Sequence, residues 1–336
     1  LEYGRLSRYG SIIAHPNFPM AFGWIGRTRW GLPGVHGFYA GNDWELFRHV
    51  RPGDRITAIE RVVGIDVKES KFSGTLVMQY VEATFANQFG DVVARALGTC
   101  TRHERKAARE AGKYDDIKTH EYSAEDFDRI DQAILNEEKN MRGANVRYWD
   151  EVQEGEELPE IVRGPLSLMD TMGFLVGSGR GHTHGVIFKN AVKHPGHFFR
   201  NPEAGGGIEY TGIGHHREST AKEVGVPGVY DYGPQRSSWM ASLVTNWMGD
   251  AGFLKRVRTQ MRGFNIMGDC TWARGKVTRK YIKDGNALVD IEIRGENQRG
   301  ELTTPGLATV LLPSLNPQHN VFFDGRNCDL ELPVVR

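Results

Sequence analysis

Cysteine is scarce in this chain. Cys100, Cys270 and Cys328 are the only three in 336 residues, far apart and without a CxxC pair. That spacing argues against a zinc ribbon and a disulfide scaffold, and suits a reducing cytosol, the expected location. Net charge is missing as well. Lys and Arg total 42 against 42 Asp and Glu, so no basic excess points to nucleic acid and no polybasic run points to an anionic membrane. No apolar run reaches the length that crosses a bilayer. Strands and helices do not alternate in βαβ fashion, which argues against a Rossmann sheet. The first residue is Leu1 rather than Met, which leaves room for a preceding segment.

What is present is enough apolar residue for two moderate domains: 39% of the chain is hydrophobic and 25% charged. The first 50 residues are rich in Gly, Pro and aromatics, and Pro16, Pro19 and Pro33 interrupt any helical period. RPGDRI at 51–56 is a turn that opens a series of strands. In Thr75–Asn87, Val77, Val81, Ala83 and Phe85 share one face, and after the Gly90-Asp91 turn Val92–Arg102 reads as another strand. Residues 104–121 are charged and weakly patterned, a linker. Ser123 and Asp126 form a capping-box start for a helix carrying Phe127, Ile130 and Ile134, expected to lie on the surface between two domains.

Ser167 with Asp170 opens a second helix with Met169, Met172, Phe174 and Leu175. Residues 177–208 form an irregular Gly/His/Phe-rich insertion, expected to be a lid. A long helix begins after Gly233, with Met240, Leu243, Val244 and Trp247 at i, i+3, i+4, i+7 spacing. Strands follow at Trp272–Ile282, Leu288–Asn297 and Thr303–Leu312, and then a tail. The halves also repeat. RPGDRI recurs as IMGDCT at 266–271, and NQFGD at 87–91 recurs as NQRGE at 297–301, in nearly the same order and spacing. Two copies of one strand-rich fold are therefore expected.

With these pieces in place the chain resembles the MaoC-like dehydratases, in the form that fuses two units. HPNFP and GNDWELFRHVRPGDRITA resemble the N-terminal dehydratase-type half, and EEKNMRGANVRYWDEVQEGEEL the join. GPLSLMDTMGFLVGSG resembles the family's opening helix, and HHRESTAKEVGVPGVYDYG the run from its catalytic histidine to the central helix. The resemblance implies an α+β fold of two tandem hot-dog domains, each an antiparallel sheet wrapped around a helix. The first would span 1–105 as scaffold, with a linker at 106–145, the second domain at 146–315 and a tail at 316–336. It implies an acyl-CoA hydratase/dehydratase interconverting trans-2-enoyl-CoA and 3-hydroxyacyl-CoA without a cofactor, working as a homodimer or larger homo-oligomer. The insertion and its aromatics point to a bulky acyl group.

By the same resemblance, counting back from Ala221 places the family histidine on His215. Tyr210 stands where the family aspartate would be, with Glu209 one residue earlier, and the usual Asn-Pro pair is absent. His215 is the expected base, Glu209 its preferred acidic partner and Tyr210 the second choice. Gly233 matches the glycine whose N–H faces the thioester oxygen, its bare Cα letting a ligand approach. Tyr232, Arg236 and Trp239 are the expected substrate contacts around it. The insertion histidines His182, His184, His194 and His197 have no acidic or Cys ligand at a recognised spacing, so no metal site is expected. A hot-dog thioesterase using Asp231, or a non-catalytic acyl-CoA-binding subunit, are the alternatives.

Overall fold

The computed structural model describes residues 1–22, 35–70, 74–104, 108–110, 114, 117–178, 184–210 and 214–322. After a short helix α1 (Glu2–Leu6) come four strands, β1 (His36–Leu46), β2 (Thr57–Ser70), β3 (Gly74–Ala86) and β4 (Val92–His103). Helix α2 (Ala124–Asn140) leads to β5 (Ile161–Arg163) and α3 (Leu168–Gly177). Next are α4 (His184–Lys193), a hairpin of β6 (Phe198–Asn201) and β7 (Gly207–Tyr210), the short α5 (Glu218–Lys222) and α6 (Gly233–Met248). The chain closes with β8 (Phe253–Gln260), β9 (Thr271–Lys283), β10 (Asn286–Asn297) and β11 (Leu302–Leu311).

Nine strands make one sheet in the order β2-β3-β4-β1-β8-β11-β10-β9-β5. The first half's order, β2-β3-β4-β1, returns in the second as β9-β10-β11-β8, and β1 and β8 pair antiparallel, Trp44 opposite Val257. This is a double hot-dog. The repeated turns share the same side-chain-to-backbone bonds. Asn87 Oδ1 accepts the Phe89 and Asp91 N–H groups at 3.0 Å, and Asn297 Oδ1 accepts those of Arg299 and Glu301, also at 3.0 Å. Gln88 Oε1 takes the Arg55 N–H and Gln298 Oε1 the Cys270 N–H, both at 2.9 Å. Each Asn-Gln-x-Gly hairpin thus locks onto its own Gly-Asp turn, where the side-chain amides satisfy backbone donors that no ladder reaches.

The halves differ in what fills them. Helix α6 lies against β1, β8, β9, β10 and β11, and its stripe of Met240, Leu243, Val244 and Trp247 is buried. Among the described residues the first half holds no helix of comparable length. Both expected capping boxes are formed, at Ser123/Asp126 and Ser167/Asp170. Of the α2 stripe only Ile130 is buried, with Val162, Cys270 and Trp272 at the outer edge of the second half; Phe127 and Ile134 are exposed. Helix α2 therefore packs on that edge rather than between two domains. The insertion, expected to be irregular, holds α4 and the β6–β7 hairpin, a two-stranded sheet apart from the main one. The Gly-rich first 50 residues conceal β1, the strand that joins the halves. No helix among the described residues is long and apolar enough to cross a membrane.

Candidate active site at the start of the central helix

Tyr232, extended at φ −82° and ψ 131°, is the N-cap of α6, and Gly233 and Pro234 open the helix. A proline is tolerated there because a first-turn N–H has no intrahelical acceptor to lose. Gln235 reaches back so that its Oε1 accepts the Tyr232 N–H at 3.4 Å. The N–H groups of Gln235 and Arg236 both go to the Tyr232 carbonyl, at 2.9 and 3.2 Å. The Gly233 N–H has no acceptor among the described residues, so it is the free donor at the positive end of the helix.

His215 packs on the N-cap residue before it. Its ring stacks on Tyr232 at 3.9 Å between centroids and leans on Tyr230 at 4.2 Å. Nδ1 lies 2.9 Å from the Tyr230 carbonyl oxygen. A carbonyl can only accept, so Nδ1 carries the proton and the neutral ring keeps its lone pair on Nε2. Burial against the phenol rings pulls the pKa down to about 3, which holds the imidazole neutral at physiological pH. His216 is engaged elsewhere: its Nε2 is 2.7 Å from the Tyr232 hydroxyl, and burial lowers its pKa too.

The structure does not make the expected acid pair. The Glu209 carboxylate accepts from Arg217 Nη2 at 3.0 and 3.1 Å, and Arg217 also bonds Glu203. The guanidinium so clamps the β6–β7 hairpin to the turn before α5, and an ion pair outcompetes a neutral imidazole for the carboxylate. No carboxylate bonds His215 among the described residues. The side chain of Tyr210 and those of His184 and His197 lie outside the described residues, as does His182. Among the described residues no group of three or more His, Cys, Asp or Glu could hold a metal ion.

Gly233 departs from expectation in one respect. A Cβ there would lie 2.6 Å from Cδ1 of Tyr39, so the bare Cα makes room for a ring from the first half rather than for a ligand. Arg236 is 3% exposed, with Nε 2.7 Å from Asp231 Oδ2 and Nη1 donating to the Gly263 carbonyl at 2.9 Å. It is a structural cation, not a substrate contact. Trp239 packs partly buried against the main core, also away from that role. Tyr232 is buried under the His215 ring, with the Phe174 ring of α3 5.8 Å away between centroids. Sequence reading missed Asp231–Arg236 as an ion pair, although an acid and an arginine five residues apart across a helix start were a legible signal. It missed Tyr39 because nothing local marks it.

Comparisons with known proteins agree with this architecture. Residues 1–96 match the family model for the FAS1-like dehydratase domain region. Among solved structures, a MaoC-like dehydratase superposes with TM-score 0.60 at 18% identity, covering 91% of this chain and 86% of that one. A putative MaoC domain protein dehydratase from Chloroflexus aurantiacus gives TM-score 0.51 at 15% identity, over 93% and 85%. A conserved hypothetical protein from Mycobacterium tuberculosis, described as having a double hotdog fold, gives 0.54 at 10% identity, over 90% and 82%. No curated protein sequence matches the chain. Together these support the resemblance to the MaoC-like hot-dog dehydratases.

Proposed function

We propose that this chain, a double hot-dog protein whose first 96 residues match a FAS1-like dehydratase region, is a hydro-lyase interconverting trans-2-enoyl-CoA and 3-hydroxyacyl-CoA. The observation that carries the reading is a neutral histidine, its Nδ1 tied to a carbonyl, stacked on the N-cap residue that precedes an unclaimed helix-start N–H.

Hydration needs a base for water, a proton for C2, and a donor for the thioester oxygen as it gains negative charge. Nε2 of His215 takes a proton from water as the water oxygen bonds C3. The electron pair of the double bond moves toward the thioester oxygen, which the Gly233 N–H receives. The imidazolium then returns the same proton to C2. One base suffices, and H and OH add across the double bond with nothing left over. A ring with its pKa near 3 is a weak base alone, but the enolate charge forming beside it stabilises the imidazolium in a low-dielectric site. This reaction needs neither metal nor redox cofactor. We assign the insertion, whose hairpin leads into the His215 turn, to the acyl group and favour a bulky one. A second copy of the chain is the expected partner.

A second reading, a non-catalytic acyl-CoA-binding subunit, is favoured by the commitment of Glu209 to Arg217. The thioesterase alternative is weakened because Asp231 is 1% exposed and held by Arg236. The test is loss of enoyl-thioester absorbance with a panel of enoyl-CoA esters. The hydro-lyase reading expects turnover by the wild type and a fall of about 10²–10⁴-fold in His215→Ala. No turnover on any ester favours the binding subunit, and undiminished turnover in the variant overturns the assignment of His215.

A further inference from the structure

The first half of the chain reaches the start of α6 through one side chain. Between Tyr39 and Gly41 the β1–β4 register shifts, leaving Ala40 as the extra residue of a bulge. Its carbonyl accepts the Met261 N–H at 2.9 Å. Gly41 follows at φ +144°, where a Cβ would collide with the Thr259 carbonyl oxygen, so β1 can press onto β8 only with glycine there. A bulge re-aims the neighbouring side chain. Here it coincides with the Tyr39 ring lying on Gly233, so close that a Cβ would be 2.6 Å from the ring.

The ring is anchored at its far end by buried groups whose protons can be counted. Thr259 Oγ1 donates to Asn42 Oδ1 at 2.8 Å, which leaves the Ser237 hydroxyl to donate to Thr259 Oγ1, also 2.8 Å away. One N–H of Asn42 Nδ2 goes to Ser237 Oγ at 3.2 Å and the other to the Tyr39 hydroxyl oxygen. Asn42, Ser237 and Thr259 are each under 5% exposed and come from β1, α6 and β8. Buried side-chain hydrogen bonds that link three elements in this way rigidify what they join. They tie Tyr39 to the first turn of the helix whose Gly233 N–H is unclaimed.

We infer that Tyr39 is a positioning residue for the reaction: its ring, seated on the bare Cα of Gly233, fixes the peptide whose N–H receives the thioester oxygen. The first half is then part of the catalytic apparatus rather than scaffold alone. This rests on the proposed hydro-lyase reading. It also makes glycine at 233 a consequence of the contact between the halves, because any side chain there would meet the ring.

The test is a double-mutant cycle on hydration, with Gly233→Ala, Tyr39→Ala and both together, plus Tyr39→Phe, each checked for folding by its melting temperature. Tyr39→Ala is expected to lower kcat by about 10- to 100-fold with KM within about threefold, because the oxygen's partner is displaced only by a fraction of an ångström. Tyr39→Phe keeps the ring and is expected to recover kcat to within about threefold of wild type. Gly233→Ala should fall at least as far as Tyr39→Ala. The double variant should be no worse than Tyr39→Ala, a strong non-additivity for residues in contact. Wild-type kcat in a folded Tyr39→Ala, or strict additivity in the cycle, overturns the inference while His215→Ala still tests the reaction itself. Equal loss in Tyr39→Phe and Tyr39→Ala also overturns it, since the hydroxyl and not the ring would then matter. A wild type that hydrates no ester removes the proposed function and this inference together.

Discussion

Replacing Asp231 by Asn isolates the charge at the start of α6. Asp231 and Arg236 are 1% and 3% exposed, and Nε lies 2.7 Å from Oδ2. The amide keeps the volume and can still meet Asn265, whose Nδ2 now donates to Oδ2 at 3.3 Å. What it removes is the counter-charge. Arg236 then has only neutral acceptors, the Gly263 carbonyl at 2.9 Å and Thr304 Oγ1 at 3.5 Å. Breaking one side of a buried ion pair costs about 3–5 kcal/mol, because the remaining charge is desolvated without compensation. At roughly 2–4 °C per kcal/mol, unfolding should shift down by about 6–20 °C. Thermal unfolding read by tryptophan fluorescence measures the shift, and urea denaturation measures the loss of free energy. The double variant Asp231→Asn/Arg236→Met should recover most of the loss, since an apolar chain of similar volume carries no charge to strand. A single-variant loss below about 1 kcal/mol, or no recovery in the double, refutes the reasoning.

Two further outcomes follow. Burial pulls His103 and His49 down to about 4 and His215 to about 3, against about 6.5 in the unfolded chain. Their contribution is therefore full above pH 6.5 and is lost as pH falls toward 4, because the unfolded state takes protons that the native state refuses. Fully buried His103 accounts for up to about 1.4 kcal/mol per pH unit and the half-buried pair for less. Asp231 runs the other way: burial raises it to about 6, so its contribution is full below 3.8 and lost as pH rises through 6, partly offsetting the histidines. Urea midpoints at pH 7, 6 and 5 should still decline; a rise on acidification would contradict the burial of these rings. Separately, Glu209→Gln should change kcat by less than about threefold while loosening the hairpin to proteolysis, since its carboxylate bonds Arg217 and not His215. A loss as deep as that of His215→Ala would make Glu209 the acid after all.

The sequence alone determined the elements that carry their own period or cap. The stripe Met240–Trp247, the boxes at Ser123 and Ser167, and the strands around the two Asn-Gln-x-Gly turns are local patterns, and the structure keeps each within a few residues. The repeat, and with it the double hot-dog, was legible because duplicated turns need the same side chains for the same backbone donors. His215 and Gly233 could be placed by motif, one on a turn and one at a helix start. What the sequence could not supply was partner choice. Glu209 is six residues from His215 and yet bonds Arg217, because a charged donor outcompetes a neutral ring. Arg236 looked like a ligand contact until the buried Asp231 beside it took the guanidinium. Tyr39, nearly two hundred residues before Gly233, meets it only in the fold that pairs β1 with β8, beside the bulge at Ala40. Periodicity and capping are short-range, set by backbone geometry over a few residues. Ion pairing and ring packing are settled by whatever the folded chain brings within a few ångströms, and in this protein tertiary structure decided them.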